Sequence, residues 1–121
     1  MIDKKEIKKT YKQTIQPMGI YQIKNKVNGK IFIGFSKNFK AKFNSIQFQL
    51  GNGSYINKLI QEDFTKYGLD NFTFEILDYL EPKDDPAYDY TNDLIVLEDL
   101  WLEKLQPYGE KGYNSQKVMK K

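Results

Sequence analysis

Apolar and polar residues alternate on both sides of an Asn28-Gly29 pair in GIYQIKNKVNGKIFIGFSKN, residues 19–38, and this period of two predicts a β-hairpin. Asn-Gly accepts the positive φ angles of a two-residue type I′ turn, which would pair Val27 with Lys30, Asn25 with Phe32, Ile23 with Gly34 and Tyr21 with Ser36. Tyr21, Phe32, Gly34 and Ser36 then share one face, with Gly34 leaving a gap among bulkier neighbours; a longer loop that slipped the register by one would invert the second strand. Beyond the hairpin the period becomes helical. Phe39, Phe43, Ile46 and Leu50 form one stripe, stopped by Gly51-Asn52-Gly53. Ile56, Leu59, Ile60, Phe64 and Tyr67 form a second, capped by Ser54 and stopped by Gly68. FTFEILDYL, residues 72–80, has the β-branched and aromatic character of a third strand. An acidic, proline-punctuated loop from Glu81 to Asn92 leads to a third main helix from about Asp93 to Leu105, and residues 3–16 predict a short peripheral helix ended by Pro17. A hairpin, two helices, a strand and a helix make an α+β domain.

One position breaks the last helical stripe. On the helical wheel Glu98 falls between Leu94, Trp101 and Leu105, whereas Asp99 and Glu103 lie on the far side. A carboxylate on a core-facing stripe needs a partner, because desolvating it alone costs several kcal/mol in order of magnitude. A Lys or Tyr in a structural network would serve, and so would a divalent metal.

Composition narrows the chemistry. The 121 residues suit one domain, and 40% hydrophobic and 15% aromatic residues suit a folded core. There is no Cys and no His, which removes disulfides, thiolate chemistry, the usual zinc sites and every His-dependent triad. The N-terminal MIDKKEIKKTYK lacks the apolar segment of a signal peptide and no apolar run approaches a membrane span, so the expectation is a cytoplasmic protein without a membrane partner. All 19 basic residues are Lys. Their distribution is uneven: 13 Lys and 5 acids up to Phe74 give +8, 1 Lys and 10 acids over 75–103 give −9, and the remainder returns +4. The basic part suits phosphate and the acidic part does not.

Taken in order, "GIY", "FIG", a helix, "KYGLDNFTFEIL", "LEDLWLEKLQP" and "KGYN" resemble the GIY-YIG nuclease superfamily over Met18 to Asn114. The resemblance implies a small three-stranded antiparallel sheet flanked by helices, framed by a basic extension over 1–17 and a basic tail over 115–121. It also implies cleavage of DNA phosphodiesters with a divalent metal, Mg2+ or Mn2+. It assigns Tyr21 as base toward the attacking water, Phe32 to the place of a second, assisting tyrosine, and Lys42 to the place of an arginine that stabilises phosphate, with Ser45 the alternative under a different helix alignment. Ile46 falls where a histidine is often found. Glu98 corresponds to the metal-binding glutamate and Asn114 to an asparagine near the C-terminal end.

Three of these positions depart from the pattern. Phe32 has lost the hydroxyl, Lys42 offers a point charge rather than a planar fork, and Ile46 is apolar. Glu98 alone still suits magnesium, which keeps several waters and needs only one or two carboxylates. Two readings follow: a metal-dependent DNA endonuclease, or a DNA-binding or regulatory module that keeps the fold without the chemistry. In both, Lys24, Lys26, Lys30, Lys37, Lys40 and Lys42 meet the phosphate backbone with little sequence specificity.

Overall fold

A computed structural model describes residues 16–115. The helix expected over 3–16 and the tail over 115–121 fall almost wholly outside the described residues. Three strands, β1 (Gly19–Asn25), β2 (Ile31–Ser36) and β3 (Phe72–Tyr79), form an antiparallel sheet in the order β2-β1-β3. Helices α1 (Phe39–Asn52) and α2 (Lys58–Tyr67) connect β2 to β3, and α3 (Thr91–Leu105) follows β3. The α+β architecture expected from the sequence is the one observed.

Strand alternation sorts the core onto two faces. Tyr21, Ile23, Phe32, Phe72 and Phe74 pack with Phe39, Phe43, Ile46 and Leu50 of α1 and Ile60, Phe64 and Tyr67 of α2. Ile20, Ile31, Ile33, Phe35 and Leu77 on the opposite face pack with Leu97, Trp101, Leu102 and Leu105 of α3. A bulge lies where β1 changes register against β3, between Ile20, opposite Asp78, and Tyr21, opposite Ile76. The extra residue lets both Leu77 and Asp78 face α3, where Asp78 Oδ2 accepts a hydrogen bond from Trp101 Nε1 at 3.0 Å.

The hairpin differs from its expected register by two residues. Tyr21 stands opposite Gly34 and Ile23 opposite Phe32. Asn25 explains the longer loop. Its side chain is fully buried, accepts from the Val27 N–H at 2.9 Å and donates to the Tyr113 hydroxyl at 3.1 Å, while its carbonyl accepts from the Gly29 N–H at 2.8 Å. Only Gly29 of the Asn-Gly pair takes a positive φ, so the turn is not of type I′. Because the shift is even, Tyr21, Phe32, Gly34 and Ser36 still share a face.

Helix ends follow local chemistry with two corrections. Asn38 caps α1, its side chain accepting from the Ala41 N–H, and Gly53 ends it in the left-handed conformation at φ 74°. Asn57, not Ser54, caps α2 through the Ile60 N–H. Ile56 therefore precedes the helix and is 86% exposed, and Leu59, also assigned to the apolar stripe, is 56% exposed. The third helix begins at Thr91, slightly before the expected Asp93.

Candidate active site

Tyr21 is 3% exposed and its ring leans across the strand onto its pairing partner. A Cβ on Gly34 would stand 2.5 Å from the Tyr21 hydroxyl oxygen, so the gap in the apolar face is occupied by that hydroxyl. Phe43 packs edge-on to the ring, with centroids 5.7 Å apart, and Phe32 lies at 6.4 Å. Burial, then the neighbouring Tyr55, then the charge of Glu98 push the Tyr21 phenol well above the ordinary tyrosine range. Tyr55 is also raised by burial. Both phenols are therefore neutral near pH 7.

Glu98 reaches this neighbourhood from the other side of the sheet. Leu97, Trp101, Leu102 and Leu105 of the α3 stripe pack with Ile20, Ile33 and Phe35, on the sheet face opposite Tyr21 and Phe32. Glu98 is half-buried, and its charge is nonetheless felt at Tyr21. The described residues contain no group of three or more acidic, His or Cys side chains able to cage a metal. A lone carboxylate fits a hard cation that retains most of its water and does not fit zinc.

The remaining sequence-predicted residues separate into distinct roles. Asn114 brackets one residue of the edge strand: its Oδ1 accepts from the Ile33 N–H and its Nδ2 donates to the Ile33 carbonyl, both at 2.9 Å. It thus holds the backbone between Phe32 and Gly34. Lys40 and Lys42 are exposed on α1 beside the aromatic cluster of Phe39 and Phe43, and Ser45 is exposed one turn on, accepting from Gln49 Nε2. Ile46 is buried in the core. Lys37 donates to Thr91 Oγ1 at 3.0 Å and lies 3.6 Å from Asp89, so the acidic segment engages this lysine within the chain. Lys30 sits over the Tyr113 ring at 5.8 Å and Lys26 is exposed in the hairpin turn. Lys24, by strand alternation, lies on the α3 face, away from Tyr21. The six lysines do not form one surface.

Sequence reasoning missed Tyr55 and Tyr113. A tyrosine inside the turn-rich stretch GNGSYIN was the available signal for the first, since a large amphipathic ring in a polar loop requires something to pack on. Tyr113, whose hydroxyl donates to Asp63 Oδ2 at 2.6 Å, lies within the KGYN segment, from which only Asn114 was singled out.

The model of the GIY-YIG catalytic domain matches residues 17–114. The chain belongs to the GIY-YIG family. Within it, the intron-associated endonuclease 1 of Enterobacteria phage T4 is 32% identical over 88 residues, 72% of this chain and 32% of that protein. A probable intron-encoded endonuclease 1 of Neurospora crassa is 43% identical over 61 residues, 50% of this chain and 19% of that protein. The chain therefore spans about a third of the phage relative and about a fifth of the fungal one. The solved catalytic domain of the homing endonuclease I-TevI superposes with a TM-score of 0.69 at 28% identity, covering 83% of this chain and 99% of that domain. The chain is thus a GIY-YIG endonuclease-like domain, a family whose nucleases are generally metal-dependent. No helix among the described residues is long and apolar enough to cross a membrane.

Proposed function

We propose that this GIY-YIG domain cleaves DNA phosphodiesters with Mg2+ or Mn2+ held at Glu98. The observation that carries the reading is a buried phenol whose hydroxyl lies over a side-chain gap at Gly34 and within reach of the Glu98 charge. The relatives named as endonucleases support DNA as the substrate. When bound, the cation supplies Lewis acidity toward a phosphate oxygen and an activated water. Tyr21, once it has lost its own proton to solvent, receives the proton of the attacking water as the water oxygen bonds to phosphorus; the P–O bond to the leaving sugar oxygen breaks, and that oxygen takes a proton from solvent. Burial is the main cause that keeps this phenol protonated; a cation beside Glu98 would offset only the smaller contribution of the Glu98 charge. Lys40 and Lys42 hold non-bridging phosphate oxygens as point charges, and counterion release makes that contact salt-dependent and indifferent to sequence. Asn114 positions the Phe32–Gly34 backbone under Tyr21. The domain spans residues 18–114, between the lysine-rich segments 1–17 and 115–121.

A supercoiled plasmid incubated with magnesium or manganese tests this reading. The wild-type protein is expected to nick it, and Glu98→Gln to nick about 10²- to 10³-fold more slowly. A folded protein that leaves the plasmid supercoiled overturns it. The rival, a module that binds DNA without cutting, is favoured by the absent hydroxyl at Phe32 and by the burial that keeps Tyr21 protonated. Its signature is a salt-sensitive gel shift with the plasmid intact.

A further inference from the structure

The bulge between β1 and β3 also shapes the sheet face that carries Tyr21. With Leu77 and Asp78 both turned toward α3, Tyr79 returns to the α1 face, where its ring meets Phe39 edge-on with centroids 5.9 Å apart. Tyr79 stands opposite Gly19. A Cβ on that glycine would clash with the Asp78 carbonyl and stand 2.9 Å from the Tyr79 Cα, so the close approach that sets Tyr79 in place requires glycine there. Phe39 is 4% exposed, but Tyr79 is 62% exposed, and most of its ring is uncovered. Tyr79, Phe39, Phe43 and Ile76 line an apolar cleft of about 380 Å³, a size usual for small-ligand sites, with Asn38 and the exposed Lys40 on its polar side. Phe43 joins this cleft to the candidate active site, because the same ring packs edge-on to Tyr21 at 5.7 Å.

We propose that this cleft seats an unpaired nucleobase of the DNA, stacked on Tyr79, with the adjoining phosphate on Lys40. The inference deepens the cleavage reading and rests on it for the choice of DNA, to which it adds a preferred substrate class: DNA with an unpaired nucleotide. An apolar cleft walled by aromatic rings suits a flat π-system, and a lysine beside it suits an anion joined to that system. A nucleotide has both parts. In an intact duplex the faces of each base are covered by its neighbours, so only a base already out of the stack enters at low cost. Stacking on an aromatic side chain tolerates every base, in keeping with lysines that contact phosphate without reading sequence. Because Phe43 lies between the cleft and Tyr21, the seated base rests one ring away from the candidate active site.

Two labelled duplexes that differ only at a central unpaired nucleotide, thymine in one and an abasic sugar in the other, test this by fluorescence anisotropy with the full chain. EDTA keeps cutting out of the measurement. The wild-type protein should bind the thymine duplex about 5- to 150-fold more tightly than the abasic one. Tyr79→Phe, which keeps the ring, should keep that ratio, and Tyr79→Ala should bring it to about one. Circular dichroism of Tyr79→Ala should match wild type, since the side chain is largely exposed. Lys40→Ala should weaken both duplexes by the same factor. Equal wild-type affinity for the two duplexes overturns the proposal, and it is the result expected if a second copy or another segment of this chain fills the cleft. A ratio that survives Tyr79→Ala overturns the cleft as the place of the base. Wild-type protein that nicks plasmid with magnesium or manganese but shows no ratio overturns the base site and leaves the cleavage reading standing. Wild-type protein that never nicks but shows a ratio lost in Tyr79→Ala supports the base site and overturns the cleavage reading.

Discussion

Tyr113 and Tyr21 are buried to nearly the same degree, 1% and 3% exposed, in one aromatic cluster, yet their hydroxyls meet different surroundings. The Tyr113 hydroxyl donates to Asp63 at 2.6 Å and accepts from Asn25 at 3.1 Å, and Asp63 also accepts from Asn28 at 3.2 Å. That network joins the hairpin turn, α2 and the C-terminal segment. Burial first, then the bond to Asp63, push the Tyr113 phenol up to about 12. The Tyr21 hydroxyl lies over a glycine, with a second phenol and a carboxylate as its electrostatic neighbours. Burial alone does not distinguish the two tyrosines. A phenol engaged by fixed partners stabilises the fold, and a phenol among titratable neighbours is placed for proton transfer.

The largest expected contrast comes from removing each hydroxyl. Tyr21→Phe should lower metal-dependent nicking by about 10²- to 10³-fold, and Gly34→Ala, which places a methyl on the hydroxyl, should lower it comparably at about 1–3 kcal/mol of stability. Nicking by either variant at the wild-type rate would dissolve the distinction between the two tyrosines. Tyr113→Phe should do the reverse, leaving nicking near wild type and costing about 1–3 kcal/mol in urea unfolding, because Asp63 and Asn25 lose a buried partner. Smallest is the pH response. A phenol raised in the folded state above its unfolded value of about 10 contributes stability that is intact below that pH and lost as pH rises through the folded value. Tyr113 should therefore lose its contribution between pH 10 and about 12, with a slope of up to about 1.4 kcal/mol per pH unit. Urea midpoints measured across that range should fall less steeply in Tyr113→Phe, and an unchanged slope would assign the alkaline loss to other groups.

Much of the frame was legible because it rests on local periods. The alternation around Asn28-Gly29, the stripe from Phe39 to Leu50 and the aromatic run from residue 72 each report a side-chain repeat that any backbone of that type must satisfy. The hairpin register was not legible. Asn-Gly favours a two-residue turn, but buried Asn25 is held by Tyr113, 88 positions later, and that contact prevails over turn preference. Ser54 was similarly a fair cap by type, and Asn57 took the position while also reaching the Tyr113 carbonyl. The Glu98 anomaly was visible on the helical wheel, but the sheet face that α3 covers was not.

The sequence by itself determined the strand and helix periods, the side of the hairpin to which Tyr21, Phe32 and Gly34 project, the absence of imidazole and thiol chemistry, and the motif order that marks the family. Each of these depends on residues near one another in the chain or on residue types alone. Tertiary structure decided the register of the turn, the opposite-face packing of α3 behind Tyr21, the division of the lysines among separate surfaces, and the arrival of Tyr55. These depend on contacts between distant segments, whose free energies compete with local preferences of about 1 kcal/mol and which no local pattern encodes.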